Sequence, residues 1–158
     1  MINTKEIIVN NLIFKFQFYD RQDLWYLSRN ALDLFQLGYT TDITIQEREP
    51  DWDNVFDFLE FILSIKETFD EKIERSNYKL KELFKKKFDR LLESMSSEDV
   101  SFLLRNIEYK SLNYDNGEFE YELQFDIESK KDPDFFMYDI WAVVFKGNEI
   151  KEVKNIAG

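Results

Sequence analysis

The segment spanning residues 118–128, EFEYELQFDIE, constrains the fold of this chain more than any other. Its odd-numbered positions are apolar: Phe119, Tyr121, Leu123, Phe125 and Ile127. Its even-numbered positions are polar: Glu118, Glu120, Glu122, Gln124, Asp126 and Glu128. Successive side chains of a β-strand point to opposite faces of a sheet, so this alternation predicts a half-buried strand. One face is expected to lie in the core and the other to show a row of five carboxylates to solvent.

Other alternating segments predict that this strand belongs to an antiparallel sheet. Residues 5–11 and 12–19 are expected as N-terminal strands, since Phe14, Phe16 and Phe18 fall on one face. Strands are also expected at residues 107–114 and 149–156. Residues 135–146 are apolar on both faces and predict a central strand. Residues 24–37 fit either a helix or a strand, and we favour a strand from residue 31 that continues to residue 46.

Two long helices are predicted in the middle of the chain. Pro50 and its acidic neighbours favour a helix start, and an apolar stripe beginning at Trp52 extends the first helix over residues 51–69. A narrower stripe predicts a second helix over residues 70–95. The sequence SSED at residues 96–99 has the spacing of a helix cap and predicts a short third helix. Together these elements predict an α+β fold in which the helices pack on one face of the sheet.

The turn before the acidic strand is predicted at residues 115–117, DNG, because Asn and Gly tolerate positive φ. A three-residue loop would place Tyr109 opposite Leu123. It would also place Lys110 opposite Glu122. A two-residue turn would instead place Lys110 opposite Leu123. We favour the three-residue loop because it pairs like with like.

Composition excludes several classes of chemistry. The chain has 158 residues, a net charge of −11, and neither Cys nor His. We expect one domain over residues 1–158. Disulfides, Cys nucleophiles, Ser-His-Asp triads and His-ligated metals are excluded. The N-terminal sequence MINTKEIIVNN lacks a signal-type apolar core, and the longest apolar run, residues 140–145, is far below the ~18 residues of a membrane-spanning helix. We therefore expect a cytoplasmic protein that binds neither nucleic acid nor membrane.

The predicted carboxylate row is the main candidate site. It is either the solvated side of a sheet or a docking surface for a basic protein, with charge steering the encounter. We favour the docking surface because five acids without a base exceed what solubility requires. The expected partner contacts are Glu118, Glu120, Glu122, Asp126, Glu128 and Tyr114.

Two further charged patterns have simpler explanations. The acids between Glu47 and Glu60 include Asp51-Trp52-Asp53, a D-x-D pattern that some metal-dependent glycosyltransferases use, but acids at a helix start explain it. Asp53, Asp57 and Glu60 would then form an exposed stripe on one helix face. The basic stripe from Lys79 to Arg90 carries six positive and two negative side chains. We interpret it as a solvated helix face, or as the contact for the acidic face in a homodimer.

Catalytic patterns are weak. Ser76 and Lys79 match S-x-x-K, but the S-D-N and K-T-G elements of penicillin-recognising enzymes are absent. Glycoside hydrolysis requires two carboxylates about 5 to 9 Å apart, and no pair is distinguished by the sequence. A carboxylate-dependent hydrolase is therefore only an alternative.

The length, the acidic charge and the C-terminal sequence YDIWAVVFKGNEIKEV resemble those of small bacterial immunity proteins encoded beside polymorphic or contact-dependent toxins. The resemblance covers the C-terminal pattern and, loosely, the architecture. It implies a non-enzymatic inhibitor that covers the active site of a cognate toxin, often a basic nuclease. On this interpretation the protein binds a basic partner and needs no cofactor or metal.

Overall fold

The computed structural model describes residues 3–27, 41–88, 99–129 and 139–156. The described strands form one sheet whose spatial order follows the order of the strands in the sequence. They are β1 (Thr4–Val9), β2 (Leu12–Tyr19), β3 (Leu24–Leu27), β4 (Asp42–Ile45), β5 (Val100–Tyr109), β6 (Glu120–Ser129), β7 (Ile140–Lys146) and β8 (Glu149–Ile156). Helices α1 (Trp52–Ser64) and α2 (Phe69–Phe88) lie between β4 and β5 in the chain. The prediction of an antiparallel sheet packed by two long helices is confirmed.

The position of the helices in the chain follows from the strand directions. Neighbouring strands run antiparallel except β4 and β5, which are parallel. Antiparallel neighbours can be joined by a tight turn, whereas a parallel pair needs a long crossover connection. The connection from β4 to β5 contains both helices, and these pack on one face of the sheet. We call the helix-covered face the inner face and the opposite one the outer face.

Large aromatic rings fill the space between the helices and the inner face. Phe58 of α1 stacks on Tyr109 of β5 with the ring centroids 3.9 Å apart. The Tyr109 hydroxyl also donates a hydrogen bond to the side-chain oxygen of Asn54. At α2, the ring of Phe84 packs against that of Trp141 of β7, with the ring centroids 5.9 Å apart. Burying a ring of this size contributes about 2 kcal/mol, so these contacts fix the helices on the sheet.

The N-terminal hairpin matches the prediction closely. Phe14 and Phe16 are fully buried on the inner face, as the alternation requires. Strands β1 and β2 are joined by Asn10 and Asn11, which have φ angles of 51° and 66°. Positive φ at both central residues is typical of the two-residue hairpin turn whose twist matches that of the strands.

The helix boundaries differ from the prediction. Helix α1 starts where Asp51 caps it, because the Asp51 carboxylate accepts a hydrogen bond from the Asn54 amide at 3.1 Å. It ends near Ile65, several residues earlier than predicted, and a short 3₁₀ turn (Lys66–Thr68) leads into α2. On both sides of the break the apolar side chains of the two helices belong to the same core cluster. The end of the predicted second helix, residues 89–95, lies outside the described residues.

The predicted third helix is wrong, because Val100 begins strand β5. Val100, Phe102 and Leu104 are buried while the intervening side chains are not, which is the strand period of two. The helical alternative for residues 24–37 is also wrong at its start, since Leu24–Leu27 forms β3. The strand favoured from residue 31 lies outside the described residues up to residue 40; its end is confirmed as β4.

The sequence predicted a central strand at residues 135–146. In the structure β7 instead lies next to the edge of the sheet, between β6 and the edge strand β8. Its outer-face residues Ala142 and Val144 are nevertheless buried. In register beside them on β6 are the long polar side chains of Gln124 and Glu122. In the part of the chain that the structure describes, long polar side chains of the neighbouring strand, and not helices, cover the apolar outer face of β7.

Candidate functional site

The predicted carboxylate row lies on the outer face of β6, but its middle is buried. Glu120 is 7% exposed and Glu122 is 2% exposed. The expectation that the whole row faces solvent is therefore wrong at these two positions. Glu118 precedes the strand and is exposed, as are Asp126 and Glu128 farther along it.

Lysines of the edge strand β8 neutralise the two buried carboxylates. Lys151 Nζ lies 2.5 Å from Glu120 Oε1, and Lys154 Nζ lies 2.6 Å from Glu122 Oε1. Gln124 donates a further hydrogen bond to Glu122 at 2.6 Å. The Lys151 hydrogen bond holds the pKa of Glu120 below its usual range. The sequence does not reveal these pairs, because 31 residues separate Lys151 from Glu120 and the lysines of β8 alternate irregularly around a β-bulge.

A second carboxyl group faces Glu122 from strand β5. The hairpin register places Glu108 directly opposite Glu122 and Tyr109 opposite Tyr121. The favoured register, which put Lys110 opposite Glu122, is therefore wrong by two residues. Between the end of β5 and the Asn-Gly turn the chain forms a 3₁₀ turn (Ser111–Asn113). The connection between the two strands is therefore longer than the three-residue loop that was predicted. A slip of two residues keeps every side chain on its predicted face, so the apolar pattern alone does not exclude it.

The pKa values of Glu108 and Glu122 are shifted in opposite directions. Burial, the charge of Glu122 and a hydrogen bond to it raise the pKa of Glu108 to about 7. Burial by itself would raise the pKa of Glu122 too, but hydrogen bonds from Lys154 and Gln124 outweigh burial and the pKa is lowered. Two adjacent carboxyl groups with separated pKa values are chemically suited to acid–base work. Here, however, the Glu122 oxygens are bound by Lys154 and Gln124, and both carboxyl groups are buried.

Tyr114, the remaining predicted contact, lies in a different environment. It is 43% exposed and its ring centroid lies 5.0 Å from that of Phe119. Phe119 in turn stacks on Phe61 of α1 at 5.1 Å. Beside these rings, the exposed carboxylates Asp57 and Glu60 project from the same helix. Together with Ser64 these residues line a cleft of about 560 Å³, which we call the acidic–aromatic cleft.

Within the described ranges, the two acids of this cleft differ from Glu120 and Glu122 in having no ion-pair partner. Among the described residues, neither Asp57 nor Glu60 forms an ion pair or a side-chain hydrogen bond. The sequence predicted the helical stripe to which they belong, but not its position beside Tyr114. That position requires the tertiary contact between α1 and the 114–119 segment.

A carboxylate fixes the chain just before Tyr114. Glu47 accepts hydrogen bonds from the amide of Ser111 at 2.5 Å and from the amide of Leu112 at 3.0 Å. The Ser111 hydroxyl donates a third bond to Glu47 at 2.8 Å and itself accepts one from the Asp51 amide at 3.0 Å. The start of α1 and the loop that carries Tyr114 are thereby tied together, which holds the two walls of the cleft.

The predicted basic stripe lies on the exposed side of α2. Lys79, Lys85, Lys86 and Lys87 are exposed, and Lys79 forms an ion pair with Glu82 at 3.8 Å. Arg90 lies outside the described residues. Exposed pairs of this kind contribute little to stability, so most of the positive charge remains available to solvent or to a partner.

The part of the chain that the structure describes contains neither a metal site nor a membrane-spanning helix. In these ranges no three acidic side chains are grouped closely enough to hold a metal ion. No helix in them is long and apolar enough to cross a membrane.

Comparison of the chain with models of protein families, with curated proteins and with solved structures gives no match.

Proposed function

We propose that this protein is a non-enzymatic binding module that recognises a basic protein through the acidic–aromatic cleft. The observation that carries the proposal is the contrast in charge pairing. The buried acids of β6 are neutralised by lysines of the same chain, whereas Asp57 and Glu60 lie open beside exposed rings. Of the contacts expected from the sequence, Tyr114 belongs to this surface, and the exposed Glu118 lies next to the cleft residue Phe119.

The chemistry of the cleft suits a lysine or arginine side chain. A cation within about 6 Å of an aromatic ring face is attracted by the ring, and carboxylates beside it add direct charge pairing. The rings of Tyr114, Phe119 and Phe61 are packed on one another and are thus pre-formed. A pre-formed site loses less conformational entropy on binding. The remaining negative charge of the protein would steer a basic partner toward it.

The resemblance to immunity proteins supports a narrower version of this proposal, in which the basic partner is a toxin and the binding blocks its active site. The exposed ends of the acidic row, Asp126 and Glu128, then extend the negative surface beyond the cleft, although Asp126 is already paired with Arg105 at 3.3 Å.

Site-specific photocrosslinking tests the proposal and identifies the partner in the same experiment. A benzophenone amino acid replaces Tyr114 in the cell that encodes this chain, and the matched control replaces Tyr78, an exposed tyrosine on α2. We expect one basic protein to be captured from position 114 and not from position 78. Capture of no protein, or of an acidic one, contradicts the proposal.

Charge reversal then tests whether the cleft acids drive association. The variant D57K/E60K should slow association with the captured protein by about tenfold or more, since steering depends on local charge. The control E71K/E74K reverses two exposed acids of α2 at the same spacing and changes the net charge equally. Equal slowing by both variants would show that only total charge matters. Toxicity of the captured protein, relieved by co-expression of this chain, identifies it as a toxin.

Self-association is the first alternative, and the exposed lysines of α2 favour it because the chain supplies its own basic surface. It predicts dimers of the pure protein that dissociate at high salt, whereas partner binding predicts a monomer at both salt concentrations. Sedimentation velocity of the purified protein separates the two.

The Glu108–Glu122 pair favours a second alternative, a carboxylate-dependent hydrolase. Such an enzyme would lose activity in both E108Q and E122Q, with a pH profile set by the pair. The binding module predicts that E108Q retains full partner binding.

A further inference from the structure

A second concavity lies on the inner side of the sheet, where strands β1 to β3 extend past the start of α1. It has a volume of about 470 Å³, within the range of small-molecule sites. The residues that line it are Lys5, Phe18, Trp25, Arg48, Glu49, Pro50 and Trp52. It shares no lining residue with the acidic–aromatic cleft, so it is a separate site. We call it the tryptophan pocket.

The floor of the tryptophan pocket is a rigid group of rings. Trp25 and Trp52 meet edge to face with centroids 4.9 Å apart, and Phe18 lies 5.1 Å from Trp25. The indole N–H of Trp25 donates to the backbone oxygen of Arg48 at 3.1 Å, which fixes the ring orientation. Trp25 is 6% exposed and supports the other two rings from below, and the half-buried Phe18 and Trp52 offer the apolar surface to a planar ligand.

Two cations lie against these rings. Lys5 Nζ is 5.7 Å from the Trp52 ring centroid, and the Arg48 guanidinium is 5.5 Å from that of Phe18. Arg48 is already paired with Asp23 at 2.7 Å. Lys5 has no ion pair within the described residues, although the chain carries 32 acidic side chains. Its alternation with Ile7 and Val9 directs it to the inner side of the sheet, beside Trp52.

We propose that the tryptophan pocket binds a small planar aromatic compound that carries one acidic group. The rings receive the aromatic part, and Lys5, assisted by the remaining N–H groups of Arg48, receives the acid. An aromatic cation is disfavoured because Lys5 and Arg48, which lie against these rings, would repel it. A second negative charge on the ligand is disfavoured by Glu49, which also lines the pocket.

Nuclear magnetic resonance of the indole N–H groups tests this proposal with 2-naphthoate as the probe. The chain has three tryptophans, and Trp141 is fully buried between Phe84 and Phe102, away from the pocket. We expect saturable shifts of the Trp25 and Trp52 signals and an unchanged Trp141 signal. Signal assignment uses the single variants W25F and W52F. No saturable shift at millimolar probe, or an equal shift of Trp141, overturns the proposal.

The role of charge is tested with matched probes and variants. The neutral 2-naphthamide and the cationic 2-naphthylmethylamine should bind at least about tenfold more weakly than 2-naphthoate, the value expected for one charge-assisted hydrogen bond. K5M should remove this preference without changing the affinity for the amide. The control K15M changes a lysine on the exposed outer face of the neighbouring strand and should leave the preference for 2-naphthoate intact. Equal affinity for all three probes, or equal effects of K5M and K15M, overturns the proposal.

Discussion

The outer face of β6 and the acidic–aromatic cleft carry the same kind of charge but use it differently. On β6, Glu120 and Glu122 are buried and each is bound to a lysine of β8. In the cleft, Asp57 and Glu60 are exposed and lack such partners among the described residues. A buried charge must be paired with another to be tolerated, whereas an exposed charge is stabilised by water and remains free to meet a partner. Density of acids in the sequence therefore does not distinguish acids that are paired within the chain from acids that are exposed; the tertiary structure does.

The largest effect is expected from removal of the lysine that neutralises the more deeply buried acid. K154M leaves Glu122 without its cation beside Glu108, and should lower the free energy of unfolding by about 3 kcal/mol. K151M removes the equivalent partner of Glu120, but that lysine is more exposed and the loss should be about 1 kcal/mol. Urea denaturation at pH 7 measures both. Equal losses would contradict the difference in burial on which the comparison depends.

A pH-dependent effect of intermediate size is expected from Glu108. Its pKa is raised from 4.5 to about 7 by folding, so the folded state holds a proton that the unfolded state releases between these values. Stability should therefore fall as the pH rises through 7, and E108Q should remove this loss. The variant should be about 2 kcal/mol more stable than the parent at pH 8 and nearly equal to it at pH 5. Thermal or urea unfolding across this range provides the measurement.

The lowered pKa of Glu122 acts in a different window. The stabilisation that the ionised Glu122 gives the folded state is fully present above pH 4.5. It is lost as the pH falls through the lowered pKa of Glu122 in the folded state. A stability profile that rises, and does not fall, between pH 5 and pH 8 would show that neither carboxyl group of the pair holds a proton in this range, and would contradict the raised pKa of Glu108.

A smaller effect is expected from the carboxylate that ties the Tyr114 loop to the start of α1. E47Q retains one acceptor oxygen but turns an amide group toward the backbone N–H of Ser111 or Leu112. This substitution should lower the free energy of unfolding by about 1 kcal/mol. The control E49Q changes an exposed carboxylate with no hydrogen bond among the described residues, and should be neutral. If E47Q is equally neutral, Glu47 does not hold the loop.

The smallest effect on stability is expected in the cleft itself. D57N/E60Q should change the free energy of unfolding by less than about 0.5 kcal/mol, because exposed acids without internal partners contribute little. The same variant should weaken binding of the crosslinked partner.

Charge changes at Glu120 and Glu122 are a poor test of binding by comparison, because they also disrupt buried ion pairs. A large loss of stability in D57N/E60Q would reveal an internal role for the cleft acids and remove the basis of the comparison.

The sequence by itself determined the fold class and the face to which most side chains of the predicted strands point. Alternation at Phe14 and Phe16, and from Phe119 to Ile127, follows from local strand geometry and does not depend on which strands lie alongside. The helices around Val55 and Leu80 are predictable for the same reason, since the spacing of apolar residues is a local property.

Only the tertiary structure decided which charges meet. The slip of two residues between β5 and β6 preserves the apolar pattern, yet it places Glu108 and not Lys110 opposite Glu122. The bulge between β7 and β8 directs Lys151 and Lys154 to Glu120 and Glu122, and the packing of α1 brings Asp57 beside Tyr114. The face to which a side chain points depends on residues close along the chain and on their period, whereas charge pairing and the burial of polar side chains depend on register and packing between distant segments. For this reason the sequence predicted where the acids point but not which of them remain free.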